Sequence, residues 1–371
     1  MFYRLNTDGT RRDVELGDLF AGPVRTACWI VGGGPSLSEL PCAEIARAPA
    51  AKLGINLGGA KLIRPTMWTS YDPSARFQRS VYLDASIWKF VHARRAMDLV
   101  PETTFKVCEC PCTLFFEREP QRGFADFLPA AATGIVDWND TFVQAMEIAY
   151  RLGFRVLYLA GCDFHVRPSE AQIARARAAE VEYAPRELLG DFYERCSGAG
   201  VSRAELESLD PPTQYHFDER KPLAAAIQTD QHYFRTAQYL RLCRRALSLA
   251  GLELVSVTPD SRLNDHFPYR PVDDVLADLG ATIGRPDAEP TRGLYTRVGT
   301  RTPAGVGPMR DLKPHHWKRK GEPPAECAAA LTPAANPRSD SDARVRASVA
   351  RRVAAAIDAL PETPVRIDED G

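Results

Sequence analysis

From about residue 26 to 258 the chain alternates short apolar runs with segments of helical period, and this rhythm constrains the fold more than any other feature. Parallel strands need crossover connections long enough to hold a helix, so the alternation points to a parallel sheet covered on both faces. The expected strands are 27–31, 52–55, 67–70, 105–110, 156–160 and 252–257. They are nearly all apolar, as strands buried on both faces must be. The clearest helix is expected over 141–152, where Phe142, Ala145, Met146 and Ala149 form one stripe. A second is expected over 233–250, with Phe234, Ala237, Leu240 and Leu247 facing one way. The expected fold class is α/β: a Rossmann-like, mostly parallel sheet with helices on both faces.

Residues 166–229 interrupt this rhythm. They are charged, open with an Ala/Arg/Glu-rich helical pattern and then pass through Gly198, Gly200, Pro211 and Pro212. That is the size and irregularity of an inserted, lid-like segment within a catalytic domain spanning 1–284. Beyond it, residues 285–371 hold 11 of the 29 prolines but only two of the chain's aromatic residues, Tyr295 and Trp317. A segment so poor in large apolar groups is expected to be a mostly flexible tail, since burial cannot offset its ordering entropy. One amphipathic helix is expected inside it, over 339–360, where Val345, Val349, Val353 and Ile357 recur four apart. The basic run 310–320 around Trp317 reads as a weak polyanion contact at most, because such runs are usually solvated linkers.

Charge and cysteine usage exclude some classes. Net charge is −1 from 47 basic and 48 acidic residues, which argues against a generally polyanion-seeking protein. No run approaches the roughly 18 apolar residues of a membrane span. The first 20 residues contain no apolar core of the secretory type, so a cytoplasmic location is expected. Cys108, Cys110 and Cys112 alternate in a way that suits one face of a buried strand better than the paired spacing of zinc ligands, and no metal site is assigned.

The chemistry-bearing residues cluster after the expected strands. CWIVGGGPSLSEL, residues 28–40, carries an apolar strand into Gly32, Gly33, Gly34, Pro35 and Ser36 before a helical pattern. Glycines there allow a ligand close to the backbone, and a helix N-terminus favours an anion. The run matches neither the P-loop nor the dinucleotide fingerprint. Asn56 follows the second strand and Asp72 the third, where ligands bind in open α/β sheets. Thr141 opens the clearest helix behind Asn139 and Asp140, while Asp163 and His165 leave the end of VLYLAGCDFH. His232 is expected just before the second helix, where a neutral imidazole serves as base or ligand. The loop 258–261 follows the last strand and contains Pro259 and Ser261. Taken singly, each has a bland alternative as a cap, a turn former or a surface residue.

Taken in order, these motifs resemble the glycosyltransferase family 42 sialyltransferases. GGGPSL stands where that family has a GNGPSL-type turn, and LGF with YLAGCDF stands for its LGY…YLSGIDFY-type block. HY at 232–233 falls in the region of a HYIGH-type segment, and TPDS stands for a CPNS-type loop. The resemblance spans about residues 27–270. It implies metal-independent transfer of a sugar from a nucleotide-activated, CMP-type donor to an acceptor, with a histidine as general base. On that basis His232 is the expected catalytic base. Gly32, Gly34, Pro35, Ser36, Pro259 and Ser261 border the nucleotide, Asn56 positions its base or ribose, and His165 neutralises the departing phosphate. Gly33 replaces an asparagine of the family's turn, and His165 replaces a tyrosine. The GxGPSL opening also resembles the MptE-like 6-hydroxymethylpterin diphosphokinases, which implies ATP, magnesium and acidic ligands such as Asp72 and Asp163. A non-catalytic nucleotide-binding protein is the third reading.

Overall fold

The computed structural model describes residues 1–283 except 15, 17–26, 49, 57, 61, 78, 210–212 and 218. The tail, with its expected helix and basic run, lies outside the described residues. The described strands are β1 (Tyr3–Leu5), β2 (Arg11–Asp13), β3 (Ala27–Val31), β4 (Ala51–Ile55), β5 (Met67–Thr69), β6 (Trp88–His92), β7 (Thr113–Phe116), β8 (Arg118–Glu119), β9 (Ile135–Val136), β10 (Val156–Ala160), β11 (Thr213–His216), β12 (Glu219–Lys221) and β13 (Glu253–Ser256). The α-helices are α1 (Cys42–Arg47), α2 (Arg79–Leu83), α3 (Thr141–Arg151), α4 (Glu170–Arg177), α5 (Leu189–Gly198), α6 (Arg203–Leu209), α7 (Leu223–Leu249) and α8 (Val272–Ile283).

Nine strands form one sheet in the order β13-β10-β3-β4-β5-β6-β7-β1-β2. The seven from β13 to β7 are mutually parallel. The β1–β2 hairpin joins antiparallel at the edge. This is the expected α/β, Rossmann-like arrangement. From β3 the chain moves outward through β4 to β7, then returns to place β10 on the other side of β3. The strand order therefore reverses between β3 and β10, and the loops leaving those two strands diverge around a crevice. Trp29, Ile30, Leu157 and Leu159 are fully buried at the sheet centre, as a doubly covered strand requires. Helix α3 packs its Phe142, Ala145, Met146 and Ala149 stripe into the same core.

Two expected elements differ. The strand anticipated at 105–110 is a short 3₁₀ turn, Val107–Glu109, and the strand is β7 further on. The reason is Pro111, which has no N–H to give a central ladder, so pairing begins only after it. Cys108, Cys110 and Cys112 are nevertheless buried as small apolar groups. Helix α7 begins at Leu223 after Pro222, ten residues before the apolar stripe suggested. Thr229, Asp230 and His232 masked that start by breaking the stripe. Asp230 is fully buried and paired with Arg262 at 3.1 Å. His232 consequently lies within the helix, not ahead of it.

The segment after β10 folds into α4, α5, α6 and the β11–β12 hairpin, with its own core around Leu189, Phe192, Leu206 and Tyr215. Ser169 and Gln172 close a reciprocal capping box on α4. Asp230 fixes this segment to the sheet domain: its carboxylate accepts from Val166 N and Leu189 N, each at 2.9 Å, as well as from Arg262. No helix among the described residues is long and apolar enough to cross a membrane.

Candidate functional site at the strand switch point

Three turns meet backbone to backbone at the carboxyl ends of β3, β4 and β10. Gly32 N donates to Ala160 O at 2.9 Å and Gly34 N to Gly161 O at 2.8 Å. A Cβ on Gly33 would stand 2.6 Å from Gly58 Cα, and one on Gly34 would stand 1.5 Å from Asp163 Oδ2. These glycines are required by the neighbouring turns before any ligand is considered. Ser36 donates its N–H (3.3 Å) and its hydroxyl (2.9 Å) to the two Asp163 carboxylate oxygens. The N–H groups of Gly32, Gly34 and Ser36 are therefore engaged within the protein, and Pro35 has none. The element after the turn is a five-residue 3₁₀ helix. At the 32–36 turn, where a phosphate was expected, an internal carboxylate, Asp163, thus takes the bonds of Ser36. Burial pushes the Asp163 pKa up, while the nearby His165 ring and the Ser36 bonds oppose the rise.

Above these turns lies a cavity of about 270 Å³. It brings together Gly32, Gly33, Gly34, Asn56, Asp72, Thr141, Asp163, His165 and His232, most of what the sequence indicated. Three residues on its wall, Asn56, Asn139 and Phe164, hold left-handed backbone at φ 53°, 54° and 57°. Asparagine tolerates that region, but phenylalanine does not readily. Phe164 is held there by its carbonyl, which accepts from Arg262 Nη1 at 2.7 Å. Strained backbone kept in place by surrounding bonds gathers at functional sites.

The His232 Nε2 lies 2.8 Å from Asp140 Oδ2. Asp140 is the N-cap of α3, and its other oxygen accepts from Val143 N at 2.9 Å. One carboxylate thereby caps a helix and orients an imidazole. A carboxylate only accepts, so Nε2 carries a proton, and in the neutral tautomer the lone pair is on Nδ1. Asn56 Oδ1 accepts from Ser70 Oγ at 2.6 Å and from Thr141 Oγ1 at 3.4 Å, which ties β4, β5 and α3 together. Asp72 is ion-paired with Arg76.

Pro259 and Ser261 do not line the cavity, contrary to expectation. Ser261 Oγ donates to Cys162 O at 2.6 Å, and the Pro259 carbonyl accepts from Asn264 Nδ2 at 2.8 Å. Ser261 thus braces the β10 turn from behind, and Pro259 closes its own loop. Conversely, Tyr215, His216 and Lys221 from the hairpin line the cavity, as do Thr229 and Tyr233 from α7. The hairpin is latched on the glycine turn, Phe217 N donating to Gly33 O at 2.9 Å. Only the alternation in TQYHF hinted at this strand, and nothing local tied it to a turn almost two hundred residues earlier. No protein-family model, curated protein or solved structure matches the chain.

Proposed function

We propose that the protein is a glycosyl-transfer enzyme that moves a sugar from a nucleotide-activated donor, CMP-linked in the first instance, to an acceptor hydroxyl. The observation that carries the reading is the His232–Asp140 pair at 2.8 Å on the wall of a cavity at the strand switch point. His232 Nδ1 removes the acceptor proton as the acceptor oxygen attacks the anomeric carbon, and the bond to the nucleotide phosphate breaks with its electron pair. Asp140 holds the ring and stabilises the imidazolium that forms. The N-terminus of α3 faces the cavity through Thr141 and Phe142, and its N–H groups stabilise the departing phosphate.

Cavity charge supports a donor with one phosphate. Asp72, Asp140 and Asp163 contribute three carboxylates, against the permanent cations of Arg76 and Lys221. A triphosphate would meet little compensating charge there. The diphosphokinase alternative draws less support, since Asp72 is already paired with Arg76 and Asp163 with Ser36. Among the described residues no three metal-type ligands gather. The described cysteines are free thiols, which fits the proposed cytoplasmic setting.

A thermal-shift panel of CMP, UDP, GDP and ATP, each with and without magnesium, tests the reading. Saturation at 100 times the dissociation constant stabilises the fold by about 2.7 kcal/mol. CMP is expected to give the largest, magnesium-independent shift. A response confined to ATP with magnesium would replace this reading with the diphosphokinase one. CMP binding without turnover of a CMP-sugar would leave a nucleotide-binding protein.

A further inference from the structure

The two ends of the cavity offer opposite chemistry. At the α3 end the donors are the N–H groups of Thr141 and Phe142, which lie ahead of the first intrahelical acceptor, while Asp140 accepts, with its carboxylate from Val143 N and with its carbonyl from Gln144 N. At the β10 end the polar groups accept. The Asp163 carboxylate takes two bonds from Ser36, Gly161 O takes Gly34 N, and Gly33 O takes Phe217 N.

His165 belongs to this acceptor end. It lines the cavity and is only 6% exposed. Its Nε2 stands 2.7 Å from Asp260 O, a carbonyl that only accepts, so Nε2 carries the proton. The remaining nitrogen, Nδ1, is buried with no hydrogen-bond partner among the described residues. In the neutral ring this atom is a lone pair waiting for a donor. Buried polar atoms are almost always satisfied, so an orphan at a cavity wall is open to a donor from whatever fills the cavity. An ionised phosphate has no proton to give that lone pair, whereas a hydroxyl has one. The edge-to-face contact of Phe142 with Phe164, centroids 4.9 Å apart, sets the two ends within the reach of one nucleotide.

We infer that the Asp163–His165 end of the cavity binds a ribose hydroxyl of the nucleotide, which donates to His165 Nδ1, while the phosphate lies at the N-terminus of α3. This rests on the reading of the cavity as a nucleotide site, and it gives His165 the sugar of the nucleotide in place of its phosphate. His165 thereby selects a nucleoside over a bare anion.

The test uses the full chain labelled with ¹⁵N-histidine, the His165 signals being assigned with His165→Asn. Cytidine, CMP and inorganic phosphate are titrated separately, and the imidazole nitrogens and dissociation constants are followed. Cytidine and CMP are expected to move the Nδ1 resonance of His165, whereas phosphate leaves it in place. His165→Phe should weaken cytidine and CMP by the same factor, about tenfold for one lost hydrogen bond, without changing the affinity for phosphate. His165→Asn, which keeps a polar group, should recover part of the loss. If His165→Phe does not fold, the titrations of the unaltered chain decide alone. A shift of Nδ1 by phosphate, or cytidine binding without any shift, overturns the inference. Absence of cytidine and CMP binding overturns it together with the donor reading. A His165 response to both in a protein that never turns over a CMP-sugar removes the transferase reading and leaves this one standing.

Discussion

The two edges of the parallel sheet bury polar groups to opposite ends. At the amino-terminal edge, Lys52 and Lys89 are the second residues of β4 and β6 and are fully buried. Lys52 Nζ donates to Ala48 O, Lys89 Nζ donates to Asp84 O at 2.7 Å, and Arg64 pairs with Asp84. Each cation finds its acceptor on the protein. At the carboxyl edge, by contrast, the turns surround a cavity, and His165 on its wall keeps a nitrogen with no partner among the described residues. Burial alone therefore does not mark a functional site. What separates the edges is whether buried polar groups are consumed by the protein or left facing a void.

The comparison breaks most visibly at Gly34. Gly34→Val places carbon where Asp163 Oδ2 and Gly161 O now sit, so the turn must open. We expect a loss of at least about 3 kcal/mol in denaturant melts, with ligand binding abolished. Gly123→Ala, with nothing within 4 Å of the added carbon, is the neutral control. A similar stability for both variants would refute the packed-turn account.

Asp230→Ala comes next. It strands the Arg262 guanidinium and two backbone N–H groups, and loss of one member of a buried pair typically costs about 3–5 kcal/mol. Faster proteolysis of residues 166–222 than of the sheet domain should accompany the loss, because this carboxylate fastens the inserted segment. A cost below about 1 kcal/mol would show that the segment is held by its apolar core instead.

His232→Ala should lower turnover of a CMP-sugar by at least about 10²-fold while changing CMP affinity little, since the base acts on the acceptor. Weakened CMP binding with unchanged turnover would move His232 from base to donor contact.

The amino-terminal edge yields a smaller, pH-dependent effect. Burial lowers the Lys52 pKa to about 7, whereas the unfolded side chain titrates near 10.4. Between these values the unfolded chain binds more protons, so stability rises with pH. Lys52→Met should remove about 1–2 kcal/mol of the rise between pH 7 and pH 8.5, read from urea melts at the two values. An unaltered slope would mean that Lys52 keeps its proton in the fold.

Deleting residues 285–371 is expected to have the smallest effect, leaving both edges and CMP affinity unchanged, because every cavity residue precedes that segment. Loss of folding would show that the stripe from Val345 to Ile357 completes the core.

Much of the fold was legible in local pattern. The apolar runs of β3, β4, β5, β10 and β13 and the stripe of α3 are properties of contiguous residues, readable because burial on two faces demands mostly apolar residues, with Lys52 the one charged residue in β4. β6 was missed because two buried polar residues, Lys89 and His92, leave only Phe90 and Val91 as an uninterrupted apolar pair within WKFVH. The site divides likewise. Gly32, Gly33, Gly34, Asn56, Asp163 and His165 come together at one cavity because the ends of parallel strands share one edge wherever the strands stand in the chain. The sequence by itself thus determined a parallel α/β sheet and the edge that carries its polar residues. Tertiary structure alone decided that Asp163 closes the glycine turn, that Asp140 holds His232, that Ser261 braces a turn, and that Tyr215, His216 and Lys221 wall the cavity. Those are contacts between residues tens to hundreds of positions apart. A hydrogen bond is set by a few tenths of an ångström, and no local spacing encodes that across separate elements.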